Sequence, residues 1–158
     1  MIRLFTSDHN DFKGRDLEEM NIRVYHTLPG DAVTIREEVF MKEAGFHDEI
    51  DEADRTAAHL VLYIENIPAA TCRFFPGHSQ GEYIVGRIAV RKEYRGHSRG
   101  SHVLAAAEAE IRMLGGRRVI LHAQQQAKPF YEKQGYSAYG EPDFDEDCPH
   151  IWMAKDLG

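Results

Sequence analysis

"VRKEYRGHSRGSHVLAAAEAEI", residues 90–111, sets Arg95, Gly96, Arg99 and Gly100 directly ahead of a helical pattern. The flanks of this stretch decide the fold. Upstream, "GEYIVGRIAV" (81–90) is apolar on both parities apart from Arg87, as a central strand covered on both faces requires. Gly86 in its middle suggests a bulge or a close backbone approach. Downstream, Val103, Leu104, Ala107, Ile111 and Leu114 form one helical stripe, Glu108 is spaced to pair with Arg112, and Gly115 and Gly116 stop the helix. "RRVILHA" (117–123) then reads as a strand, so 82–123 is expected to be a parallel strand–helix–strand crossover.

The junction itself has the chemistry of an anion site. Amide groups at a helix N-terminus lack intrahelical acceptors and carry partial positive charge, and small residues let a phosphate oxygen approach them. Gly96, Ser98, Gly100 and Ser101 supply that approach. From Arg87 to Arg99, five basic residues (Arg87, Arg91, Lys92, Arg95, Arg99) face the single acid Glu93. An N-capped turn with solvated arginines is the plainer reading of the same residues. The spacing is neither GxxxxGK[ST] nor GxGxxG, which disfavours a nucleotide-hydrolysing P-loop and a dinucleotide fold.

Outside this unit, residues 1–19 are polar and aperiodic, an N-terminal extension without an assigned element, and 20–158 read as one domain. "MNIRVYHT" (20–27) alternates as a strand. A first helix follows, with Asp31 as candidate N-cap, Ala32, Ile35, Val39 and Phe40 on one face, and a stop at Gly45. "FHDEIDEADRT" (46–56) reads as an acidic connector holding a short helix, "AAHLVLYIENIPAATCRFFPG" as a hairpin over about 58–76, "QAKPFYEKQG" as a short helix, and "YSAYG" and "HIWMAKDL" as strands.

Composition narrows the function. The 158 residues are 42% hydrophobic and carry a formal charge of −7, from 19 basic and 26 acidic residues. An acidic chain argues against general nucleic-acid binding, so any anion site must be local. No apolar run reaches the roughly 18 residues of a membrane span, and Met1 to Met20 lacks a signal-peptide pattern, so a cytoplasmic protein without a membrane partner is expected. Cys72 and Cys148 lack metal-ligand spacing and are expected to be reduced thiols; the nine histidines form neither HxH nor HExxH, so no metal is expected.

"GRIAVRKEYRGHSRGSHVL" resembles motif A of the GNAT acetyltransferases, in which an I-A-V-like strand end leads into [QR]-x-x-G-x-[GA]. Here that motif runs Arg95, Gly96, His97, Ser98, Arg99, Gly100, with Ser98 where glycine is usual. "HAQQQAKPFYEKQGY" is similar to the family's second segment, with Gln124 where Asn is common, then Ala127, Tyr131, Gly135 and Tyr136. The likeness extends to a subgroup of small bacterial GNAT proteins through "REEVF" (36–40), Glu49, Asp51 and Asp54 before His59, and the Pro149–Lys155 strand. It implies an α/β (α+β) fold: a mixed, mostly antiparallel central sheet of about six to seven strands with a splayed parallel central pair and about four flanking helices.

The resemblance also implies a reaction, direct transfer of an acetyl group from acetyl-CoA, the co-substrate, to an amine. Ile88, Ala89 and Val90 would pair with the pantetheine arm, and Arg95, Gly96, His97, Ser98, Arg99, Gly100 and Ser101, with Gln124, would complete the cofactor site. An amide near Ile88 or Ala89 would polarise the thioester carbonyl. Tyr131 would protonate the departing thiolate; without the motif it reads as a packing residue beside Phe130. For the base, Glu38, His59, Glu82, Tyr83 and His122 are all candidates, His122 foremost. A non-catalytic acyl-CoA-binding or sensing module is the rival reading. A small amine acceptor is expected, cationic if the acidic connector and the acidic "EPDFDEDCP" stretch (141–149) both border its entrance. A homodimer is a further expectation.

Overall fold

The computed structural model describes residues 3–6, 19–47 and 50–158. Asp48 and Glu49 of the acidic connector lie outside them, as does most of the 1–19 extension. The chain divides into two compact units, residues 1–73 with 87–106 and residues 74–86 with 107–158.

In the first unit, β1 (Arg3–Thr6) pairs antiparallel with β2 (Met20–Tyr25), and β2 with β3 (Ala58–Ile64), which turns at Glu65 and Asn66 into β4 (Ile67–Pro76). β1 therefore falls in the stretch where the polar, aperiodic sequence assigned no element. α1 (Gly30–Arg36) continues as a π-helical segment, Glu37–Glu43, so the expected first helix changes winding half-way. Its N-cap is Pro29 rather than Asp31. Asp31 instead accepts a hydrogen bond from the Tyr63 hydroxyl (2.7 Å). Ala32 and Ile35 bury against Val61, Tyr63 and Ala89, with Val39 and Phe40 packed at the margin, which is the predicted apolar face.

β5 (Glu82–Val90) and α2 (Arg99–Met113) each run from one unit into the other, as β4 does. In the second unit, β5 pairs parallel with β6 (Arg118–Gln124) through Glu82↔Arg118, Tyr83↔Val119 and Ile84↔Ile120, which is the crossover read from the sequence. That ladder ends at Ile84. The left-handed residue that follows is Arg87 (φ 51°), whereas Gly86 keeps an ordinary φ and has open space where a Cβ would stand. The irregularity expected at Gly86 is thus borne by its neighbour, at some cost in strain.

α3 (Lys128–Lys133) follows β6, and β7 (Ser137–Asp145) and β8 (Cys148–Asp156) close the chain. β8 lies between β6 and β7, antiparallel to both, giving a mixed, mostly antiparallel arrangement. The acidic stretch after residue 140, which lies beyond the strand read in "YSAYG", is largely part of a strand. β7 extends through it to Asp145, past an irregularity between Tyr139 and Asp143 that accommodates Pro142, and turns at left-handed Glu146 and Asp147. Glu108 braces this unit: its carboxylate accepts from the Tyr136 hydroxyl (2.7 Å) and from Lys155 Nζ (2.9 Å). Two motif residues, Tyr136 and Lys155, therefore have a structural task.

Candidate functional site

In the first unit, β5 runs into a short turn of 3-10 helix, Lys92–Tyr94, and then the glycine-containing turn that opens α2. Gly96 (φ 84°) and Ser98 (φ 60°) are both left-handed. Serine carries a penalty there that glycine would not. It is held by its own carbonyl, which accepts from Ser101 Oγ (2.9 Å) and from the His102 amide (3.0 Å). Gly100 and Ser101 lie in the first turn of α2, where the helix offers their amides no acceptor one turn earlier.

The basic residues of this turn are braced by acids of the π-helical segment. Arg95 Nε donates to the Val90 carbonyl (2.9 Å), and its two terminal nitrogens form a bidentate pair with Glu43 (2.9 and 2.8 Å). That hydrogen bond holds the Glu43 carboxyl below its ordinary value. Arg91 donates to Glu38 (2.6 Å) and to the Pro68 carbonyl (3.0 Å). Beside them, Glu38, Lys42, Glu43, Lys92 and Glu93 line an open cleft of about 490 Å³. Of the strand-end residues, Ala89 is buried, while Ile88 and Val90 are partly accessible and His97 is exposed.

In the second unit, His122 near the end of β6 has its Nε2 2.7 Å from Asp143 Oδ1. Its ring lies against those of Trp152 (4.8 Å, stacked) and His150 (4.6 Å). The imidazole is thus fixed in orientation, partnered by a carboxylate and still accessible, with 27% of the side chain exposed. Gln124 accepts from Gln126 Nε2 (2.8 Å). Tyr131, on α3, makes edge contacts with Phe130 (5.0 Å) and Tyr136 (6.1 Å). The residues expected to bind the cofactor phosphates therefore share the first unit, and His122, Gln124 and Tyr131 share the second.

Several sequence candidates are committed elsewhere. His59 is 1% exposed, with Nε2 3.0 Å from the Asp54 carbonyl, and burial lowers its basicity. Glu38 is engaged by Arg91. Cys72 is buried against the Val103 carbonyl, and desolvation pushes its thiol up; it and Cys148 are both free thiols. Two acids of the connector, Asp51 and Asp54, are also engaged. Asp54 accepts from Arg36 (2.9 and 3.1 Å) and Arg73 (2.7 Å), and Asp51 accepts from Arg73. These two carboxylates neutralise buried arginines. Asp143 and Glu43 were legible only as surface acids, since neither stands at a fixed spacing from His122 or Arg95 in sequence.

Comparison with known proteins gives one consistent result. A family model described as an acetyltransferase (GNAT) domain matches residues 27–157. An uncharacterised N-acetyltransferase of Bacillus subtilis, YjcF, is 37% identical over 129 residues, covering 80% of this chain and 91% of its own. A crystal structure from Lactobacillus plantarum superposes with a TM-score of 0.80 at 30% identity, covering 87% of this chain and 98% of that one. Escherichia coli ElaA shares the fold, with a TM-score of 0.76 at 24% identity over 86% of this chain and 99% of its own.

Proposed function

The chain belongs to the GNAT acetyltransferase family, and from that premise we propose that it moves an acetyl group from acetyl-CoA directly to the primary amine of a small acceptor. The observation that carries this reading is the turn before α2, where left-handed Gly96 and Ser98 lead into the first amides of a 15-residue helix. The pyrophosphate would be held by those amides and by the neighbouring arginines.

In the proposed reaction the amine nitrogen attacks the thioester carbonyl, an amide near Ile88 or Ala89 stabilises the developing oxyanion, and the C–S bond breaks. His122 takes the proton leaving the amine, with Asp143 orienting its ring and stabilising the imidazolium. Tyr131 gives its proton to the departing thiolate. His122 is preferred to the other bases because it combines a carboxylate partner with access from outside. The acids still facing outward, Glu141, Asp143, Asp145, Glu146 and Asp147 on the β7–β8 hairpin, favour a cationic amine.

Thioester loss measured across a panel of amines, with calorimetric titration of acetyl-CoA in parallel, tests the reading. Binding without turnover on any amine would leave a non-catalytic acyl-CoA module instead. Ser98→Glu, which sets a carboxylate where phosphate is to sit, is expected to abolish acetyl-CoA binding, and unchanged affinity would remove the turn from the site. Glu43→Gln is expected to act in the opposite direction. The Glu43–Arg95 pair is half-exposed and competes with phosphate for the guanidinium. Weakening it should tighten acetyl-CoA binding about two- to fivefold, an effect that shrinks as salt is added.

A further inference from the structure

We propose that His122, His150 and Asp145 form a binding site for a divalent transition-metal ion, zinc foremost, and that the ion inhibits acyl transfer. The sequence has no HxH or HExxH pattern because the three residues come from three strands. In the β6–β8 ladder His122 lies opposite Trp152 and Gln124 opposite His150, which makes His122 and His150 diagonal neighbours on one face. In the β7–β8 ladder Asp143 lies opposite His150, and Asp145, two residues on, returns to the same face. One donor atom from each of His122, Asp145 and His150 falls within 4.8 Å of the others. Around a tetrahedral zinc ion, donors stand about 3.3–3.5 Å apart, so modest side-chain rotation closes the site.

The surroundings suit ligation. His150 is 5% exposed, and its Nδ1 lies 2.8 Å from the Cys148 carbonyl. A backbone carbonyl accepts from the protonated nitrogen, which leaves Nε2 with its lone pair. The Asp143 carboxylate at 2.7 Å pairs with His122 as an outer carboxylate pairs with a ligating imidazole, fixing the ring. Asp145 is exposed, giving the ion a path in from solvent. Two imidazoles and one carboxylate match borderline divalent ions such as zinc, cobalt and nickel rather than magnesium or calcium, which prefer all-oxygen shells. Three protein ligands leave a fourth position for water.

The inhibitory consequence, but not the binding, rests on the reading of His122 as the base, since an imidazole whose lone pair is held by zinc accepts no proton. Purified full-length chain, stripped with chelator and kept free of added thiols, is titrated with cobalt(II), followed by its visible d–d absorption, and with zinc by calorimetry. One ion per chain is expected, with cobalt displaced by equimolar zinc. Asp145→Asn and His150→Gln should each weaken binding by about tenfold or more. Asp145 is on the exposed hairpin, so its variant keeps the test valid if the buried His150 variant fails to fold. Absence of a cobalt band, or wild-type affinity in folded Asp145→Asn, overturns the site. Thioester loss with and without zinc forms the second arm: binding with an unchanged rate overturns the inhibition and the assignment of His122 as base, leaving the metal site in place.

Discussion

Asp54→Ala is expected to lower the free energy of unfolding by about 3–5 kcal/mol, the largest single-residue effect outside the hydrophobic core. Asp54 is 2% exposed, and the two guanidiniums it satisfies, Arg36 and Arg73, are 3% and 5% exposed. It also exchanges reciprocal hydrogen bonds with Asp51 as the capping box of the 3-10 turn Glu52–Arg55, while its carbonyl faces His59 Nε2. Removing the carboxylate takes from both guanidiniums, in a desolvated place, the anion they share, and Asp51, which Arg73 also engages, lies 3.5 Å from Arg87 as well. Withdrawing a carboxylate that buried guanidiniums share is costly because the charge it balanced stays desolvated.

The same network fixes the acid limb of stability. Burial alone would raise the Asp54 pKa, but the hydrogen bonds and charges of Arg36 and Arg73 outweigh it and hold the carboxyl well below the usual range. The unfolded chain therefore takes up this proton at higher pH than the folded one. The resulting stability is fully present above the unfolded carboxyl pKa of about 3.9 and is lost as pH falls through the depressed folded value. Denaturant melts between pH 2 and about 5 should show a shallower pH slope for Asp54→Asn than for the parent chain. Equal slopes would place the acid sensitivity in another carboxylate.

Tyr131→Phe is expected to cut turnover by about 10²-fold or more while leaving acetyl-CoA affinity within about twofold. The ring contacts with Phe130 and Tyr136 need only the aromatic body, so phenylalanine keeps them. The substitution removes the hydroxyl that is proposed to donate the proton. Without it the thiolate must leave unprotonated or wait for water. The loss should shrink for acyl donors whose thiol is more acidic, because a better leaving group depends less on the acid. Normal turnover in Tyr131→Phe, with any acceptor the parent chain acetylates, would assign protonation of the leaving group to another residue.

What could be read in sequence and what could not divides along a physical line. The crossover of β5, α2 and β6 was legible because its signals are local: apolar runs, a helical stripe, and glycines at the helix ends. The turn of small residues at Gly96 and Ser98 was legible for the same reason, though not its left-handed backbone. Charge partners were not. Asp51 and Asp54 look like any solvated acidic run, and only the fold brings Arg36 and Arg73 to them from 18 and 22 residues away. β7 was cut short in the reading because "EPDFD" lacks strand propensity and contains proline; its pairing with β8 overrides that preference. Nor does apolar spacing distinguish an α-helical from a π-helical winding, so the change at Glu37 was invisible. His122 was singled out by its position at a strand end, but Asp143 and His150 were not linked to it, because their meeting depends on the register of two ladders.

The acidic character of β7 has one more consequence. Among the described residues β7 has β8 as its ladder partner, on one side, so its other side is an open row of peptide groups of the kind on which sheets of separate molecules fuse. Glu141, Asp143 and Asp145 stud that margin, and a second β7 laid against it would bring negative side chains face to face. The strand's charge thus acts as a guard rail against intermolecular sheet growth along this border. Converting Glu141 and Asp145 to threonine would remove the guard and leave Phe144, 73% exposed, on an adhesive border.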